Sequence, residues 1–78
     1  MNLQDIKNEL STLRDEWRRV RRERINKMKE LLTSGMNIRE IRSDSIYKDL
    51  KKRQERLSKD IRHKEKILNR KIALNRRR

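Results

Sequence analysis

Apolar residues within residues 1–34 recur at alternating steps of three and four positions. This spacing places them on one face of an α-helix and is typical of the apolar seam of a coiled coil. The seam loosens through Arg24 and Ile25 before apolar positions resume. Gly35 suits the left-handed position that ends a helix, so the pattern predicts a helix over about residues 3–34. Its apolar positions are Leu3, Ile6, Leu10, Leu13, Trp17, Val20, Met28, Leu31 and Leu32.

A second run with the same spacing predicts another long helix over about residues 45–75. Residues 43–45 (Ser, Asp, Ser) supply candidates for its N-cap. In the connector, residues 35–44, Asn37 and Glu40 have the spacing of a capping box, which predicts one short helical turn. The seam of the second helix is Tyr47, Leu50, Gln54, Leu57, Ile61, Lys64, Leu68 and Ile72.

The two seams match each other when the helices run antiparallel. One register aligns Val20 with Leu57 and sets polar Arg24 opposite polar Gln54. Sliding the helices by one heptad destroys both matches. The sequence therefore predicts an all-α fold, in which residues 1–78 form one antiparallel, coiled-coil-like helical hairpin.

A further set of apolar residues flanks these seams at seven-residue intervals. A two-helix hairpin cannot bury a second flank, and a chain of this length builds only a small core. We therefore expect a second copy to cover these residues in a homodimeric four-helix bundle, or a larger protein partner to do so. The candidate interface residues are Ile25, Leu32, Ile46, Ile67 and Leu74.

Charge is the strongest compositional signal. The 78 residues include 25 Lys or Arg and 12 Asp or Glu, a formal net charge of +13. Residues 1–34 carry nine basic and six acidic side chains, residues 35–78 carry sixteen and six, and no acid follows Glu65. A small protein with this charge attracts polyanions. The absence of proline and the periodic seams argue against a disordered basic tail.

The basic residues predict a nucleic-acid-binding surface. Arginine matches phosphate geometry and stays charged, and a row of basic residues along one helix can follow a phosphate backbone. A solvated charged face is the simpler interpretation, but the large net charge favours DNA or RNA as the partner. The candidate contacts are Arg18, Arg19, Arg21, Arg22, Arg24, Lys48, Lys52, Lys59, Arg62, Lys66, Arg70, Arg76, Arg77 and Arg78.

Two other binding functions stay open. The first is a protein-interaction module or inhibitor that docks an apolar helix flank on a larger nucleic-acid enzyme. The second rests on residues 31–41 followed by residues 45–50, which resemble pieces of the helix-turn-helix of resolvases and small terminase subunits. That resemblance implies a DNA-binding regulator, although only four residues separate Ile41 from Ile46. A basic amphipathic helix on a membrane surface is disfavoured by the polar positions in the seam.

Residues suited to catalysis are scarce. His63 is the only histidine and cysteine is absent, so we expect no metal site, no disulfide and no thiol chemistry. We expect a non-enzymatic protein with no cofactor and no small-molecule substrate.

No apolar run approaches the length of a membrane span, which favours an intracellular location, cytoplasmic or nucleoid-associated. Trp17 is expected to pack opposite Ile61, with base stacking as the alternative.

Overall fold

The computed structural model describes residues 2–76, which form three helices. These are α1 (Leu3–Thr33), α2 (Ile38–Ser43) and α3 (Ser45–Arg76). The long helices α1 and α3 pack against each other in antiparallel orientation. The all-α hairpin is therefore confirmed, and within residues 2–76 no strand occurs. The molecule is about 60 Å long and 15–17 Å across.

Both ends of α1 are closed by local hydrogen bonds. The Asn2 side chain caps the N-terminus by accepting the Asp5 backbone N–H at 2.8 Å. At the other end, the backbone N–H of Gly35 donates to Leu32 and that of Met36 donates to Leu31. These two bonds form a Schellman motif, which requires the positive φ of +93° at Gly35. The predicted stop signal is confirmed, with α1 ending one residue earlier than predicted.

The connector is also organised by capping. Asn37 accepts the Glu40 backbone N–H at 2.9 Å while the Glu40 carboxylate accepts the Asn37 backbone N–H, so the predicted capping box is present. Asp44 alone separates α2 from α3, and its carboxylate caps α3 by accepting the Tyr47 backbone N–H at 3.0 Å. A helix-turn-helix has a turn of three to four residues, and this junction does not provide one.

The core is thin and divided along the hairpin. Ile6, Leu10, Val20 and Leu57 are buried between the long helices. At the connector end, α2 folds back so that Ile41 joins a cluster with Leu31 and Tyr47, against which Met28 and Met36 pack. Other predicted seam residues are only partly buried, namely Leu3, Leu13, Trp17, Leu50, Ile61, Leu68 and Ile72. Leu32, a predicted seam position, is exposed because it lies off the contact face.

Candidate nucleic-acid interface

Two ion pairs bridge the long helices along one edge of their contact. Lys64 pairs with Glu9, and the Arg53 guanidinium lies 3.6 Å from the Glu16 carboxylate. Both cations reach across the hairpin from α3 to α1. We call the edge defined by these four residues the ion-paired edge.

The opposite edge is held by two different contacts. The Trp17 indole N–H donates to the Ser58 hydroxyl at 2.8 Å. Nearer the open end of the hairpin, the Arg14 guanidinium donates to Glu65 at 3.2 Å. We call the edge that carries these four residues the basic edge.

Helix geometry explains why these contacts lie on opposite edges. Residues five positions apart are separated by about 140° around a helix axis, whereas residues seven apart nearly coincide. Arg14 follows Glu9 by five positions, and Ser58 follows Arg53 by five. Each helix therefore turns one side chain of these pairs to each side of the contact.

Charge on α1 is sorted between the two edges. Four of its six acids recur at seven-residue steps and follow the ion-paired edge, as Glu9, Glu16, Glu23 and Glu30. Asp15 is an exception on the outer surface, 3.6 Å from Arg18, and both of those side chains are about 70% exposed. The cations that follow the basic edge and its outer side are Lys7, Arg14, Arg18, Arg21, Arg22 and Lys29. This sorting leaves one side of α1 without an acidic heptad to neutralise it.

An open groove of about 480 Å³, which we call the basic groove, lies on this basic side of α1. Four cations and no acid are among its lining residues. All of its lining belongs to the single helix α1. Its lining residues are Trp17, Arg18, Arg21, Arg22, Ile25, Asn26 and Lys29.

Trp17 connects the groove to the hairpin contact. Its ring is partly buried, its N–H is bonded to Ser58, and the Arg21 guanidinium carbon lies 5.7 Å from the ring centroid. The register predicted from the sequence placed Trp17 against Ile61 but did not identify Ser58 as its hydrogen-bond partner. The contact depends on how far the indole extends from its backbone position, which a register does not specify.

Arg24 lies between the helices rather than in the groove. Its guanidinium donates to the Gln54 side chain at 2.7 Å and to the Tyr47 hydroxyl at 3.2 Å, and it lies 6.0 Å from the Tyr47 ring centroid. The predicted match between Arg24 and Gln54 is thus observed as a direct hydrogen bond. This engagement leaves Arg24 outside the exposed basic surface.

The remaining predicted nucleic-acid contacts are distributed over three places. Arg19 lies 3.9 Å from Glu16 and lines a separate hollow with Asp15 and Glu16. Arg77 and Arg78 lie outside the described residues. The contacts predicted on α3 are all exposed, and Arg62, one turn beyond Ser58, continues the basic edge. These α3 residues are Lys48, Lys52, Lys59, Arg62, Lys66, Arg70 and Arg76.

The five predicted interface residues do not form one surface. Ile25 lines the basic groove, and Leu32 follows it by seven residues on the same helix. Ile46, Ile67 and Leu74 instead repeat at multiples of seven from Arg53, on the side of the ion-paired edge. Leu32, Ile46 and Leu74 are 48%, 54% and 62% exposed, whereas Ile25 and Ile67 are partly covered. A single partner surface would therefore meet only part of the set.

The described residues offer little for a catalytic site, a metal site or a membrane span. His63 is exposed. Among the residues that the structure describes, no three His, Cys, Asp or Glu side chains are placed to hold a metal ion. None of the helices in residues 2–76 is long and apolar enough to span a bilayer.

Comparison with known proteins gives no relative: no protein-family model, curated protein or solved structure matches this chain.

Proposed function

We propose that this protein is a non-enzymatic nucleic-acid-binding or nucleic-acid-complex accessory protein, whose basic edge contacts the phosphate backbone. The observation that supports the proposal most directly is the groove beside Trp17, lined by Arg18, Arg21, Arg22 and Lys29 without an acid. Placing like charges side by side disfavours the free protein. A polyanion removes that repulsion and gains a counterion-release term for every phosphate neutralised.

The two helices together offer a surface wider than one groove. Arg62 continues the basic edge on α3, and the exposed cations of the α3 row extend around its outer side. A phosphate backbone that crosses from α1 to α3 would meet cations on both helices. Contacts of this kind carry no base-pair information, so the proposal is for binding that depends weakly on sequence. An intracellular location, cytoplasmic or nucleoid-associated, would follow from such a ligand.

The experiment compares two variants that lose the same charge from different places. One replaces Arg18, Arg21 and Arg22 by Gln, and its matched control replaces Arg39, Arg42 and Arg56 by Gln, which are exposed and lie away from the groove. Binding of a labelled duplex and a labelled single strand is measured over a range of salt concentrations. We expect the groove variant to lower the slope of log affinity against log salt by about 0.9 per lost contact on duplex DNA and about 0.7 on a single strand.

The control decides whether the position of the charge matters. If both variants lose the same slope, binding follows net charge alone and the assignment to the basic edge is wrong. If the parent binds no nucleic acid even at low salt, the proposed function is wrong. The protein-docking module would then replace it, with an apolar helix flank as its contact surface.

Self-association belongs to the same proposal, and the charge distribution favours one edge for it. Two copies that met through their basic edges would bring like charges together. The ion-paired edge is internally neutralised by the pairs at Lys64 and Arg53 and is bordered by Ile46, Ile67 and Leu74. A homodimeric four-helix bundle through that edge would cover part of this apolar flank and leave both grooves open. Sedimentation equilibrium at about twice the monomer mass is the supporting result.

A further inference from the structure

Trp17 holds the most specific chemistry in the basic groove. An indole has a single hydrogen-bond donor and no acceptor. That donor is already bonded to Ser58 across the hairpin, at 2.8 Å. The ring can therefore offer the groove apolar aromatic surface but no further polar group. The bond to α3 also limits the ring's rotation, so little conformational freedom is lost when a ligand packs on it.

The groove combines this aromatic surface with positive charge. Arg18, Arg22 and Lys29 line it together with Trp17 and Ile25. A ligand that matches both properties carries flat apolar groups on an anionic backbone. Nucleobases joined by phosphodiesters have this composition, and stacking on an aromatic ring tolerates any base because every base has a π-face.

The state of the bases decides which nucleic acid fits. In a duplex, neighbouring base pairs cover the faces of each base, and extruding one costs unstacking and unpairing energy. In a single strand the faces are accessible. We propose that the basic groove is a site where an unpaired base of single-stranded nucleic acid stacks on Trp17, while the flanking cations bind the adjacent phosphates. This inference rests on the proposed function and adds a preference for single strands over duplexes.

Arg21 takes part in the binding event. In the free protein its guanidinium lies 5.7 Å from the Trp17 centroid. A cation–π contact at an exposed site is weak, so a base displaces the guanidinium from the ring. The released Arg21 then reaches a phosphate of the same strand.

Two substitutions at one position isolate the aromatic face. Trp17→Leu and Trp17→Phe both lose the hydrogen bond to Ser58, but only Phe keeps a ring. Affinities are measured for oligothymidylate, oligouridylate, a duplex of the same length and inorganic polyphosphate, which has charge but no bases. We expect Trp17→Leu to lose about 5- to 100-fold in single-strand affinity. Trp17→Phe should recover most of that loss, and polyphosphate binding should not change.

The parent protein provides an independent readout, because Trp17 is its only tryptophan. Single strands should quench Trp17 fluorescence, whereas polyphosphate at equal saturation should not. Stacking with either oligothymidylate or oligouridylate supports the inference, and their affinity ratio distinguishes DNA from RNA. Quenching that is equal for single strand and polyphosphate, or equal single-strand affinities of the Leu and Phe variants, would overturn it while leaving the proposed function intact. Failure of the parent to bind any nucleic acid would instead overturn the proposed function.

Discussion

Arg24 allows a direct test of whether a basic residue in this chain contacts phosphate or holds the hairpin together. The substitution is Arg24→Gln, which removes the charge and shortens the side chain. In the parent, the guanidinium donates to Gln54 at 2.7 Å and to Tyr47 at 3.2 Å in a partly buried layer. A hydrogen bond from a charged group contributes about 1.5–3 kcal/mol, and the partial exposure of this layer places the expected loss near 2 kcal/mol.

The assay combines thermal unfolding with salt-dependent binding. For a domain of this size, 1 kcal/mol shifts the melting temperature by about 4–8 °C, so Arg24→Gln should melt about 8–16 °C below the parent. Its binding slope against salt should stay at the parent's value. The matched control is Arg21→Gln in the groove, which should change stability by less than about 1 kcal/mol, since Arg21 is exposed. It should, however, lower the slope on duplex DNA by about 0.9.

The opposite pattern would refute this reasoning. A variant Arg24→Gln that melts with the parent and loses binding slope as Arg21→Gln does would show that Arg24 faces the ligand. The interhelical bonds to Gln54 and Tyr47 would then contribute nothing measurable to stability.

Two other outcomes are expected. Gly35→Ala should lower the free energy of unfolding by about 1–2 kcal/mol. The cost is backbone strain alone, because φ is +93° and an added Cβ meets nothing within 4 Å. Gly35→Asn should melt closer to the parent, and a Gly35→Ala variant that melts with the parent would contradict a strained cap. Leu74→Ser, at a side chain 62% exposed in one copy, should shift sedimentation toward the monomer mass if α3's apolar flank joins two copies, and a parent that is strictly monomeric would rule out the dimer.

The hairpin and its register could be predicted because they depend on backbone geometry and sidedness. Heptad spacing identifies the contact face of each helix, and the polar interruptions at Arg24 and Gln54 select one alignment. Capping residues at Asn37 and Asp44 mark boundaries through short-range hydrogen bonds. All of these signals act within a few residues or repeat along the chain.

Contacts that depend on side-chain reach could not be predicted in the same way. The register that aligns Val20 with Leu57 also puts Lys64 opposite Leu13. The Lys64 amine pairs with Glu9, one helical turn from Leu13. Likewise, Ser58 accepts the Trp17 N–H although the register put Ile61 opposite the ring. Long side chains span a full turn in either direction, so a register alone does not select their partners.

The sorting of charge between the edges was present in the sequence but was missed. Density along the chain draws attention to the arginine cluster at residues 17–24 and groups Arg19 with its neighbours. Grouping by seven-residue steps instead separates the four Glu residues of α1 from the groove cations, with Asp15 beside Arg18 as the exception. The approach of Arg19 to Glu16 puts Arg19 on the side of those acids. The informative property is the side of the helix on which each charge lies.

This sorting bears on function because it works against the stability of the free protein. Mixing the same charges over both edges would reduce the repulsion among the groove cations, yet α1 places its acidic heptad where Lys64 and Arg53 neutralise it. A ligand that binds only the folded hairpin raises its free energy of unfolding, and the gain grows with the logarithm of the ligand concentration divided by the dissociation constant. The groove cations Arg21, Arg22 and Lys29 are therefore a cost to the free protein that a bound polyanion offsets, whereas a face that only solvates the hairpin would gain nothing from separating its charges.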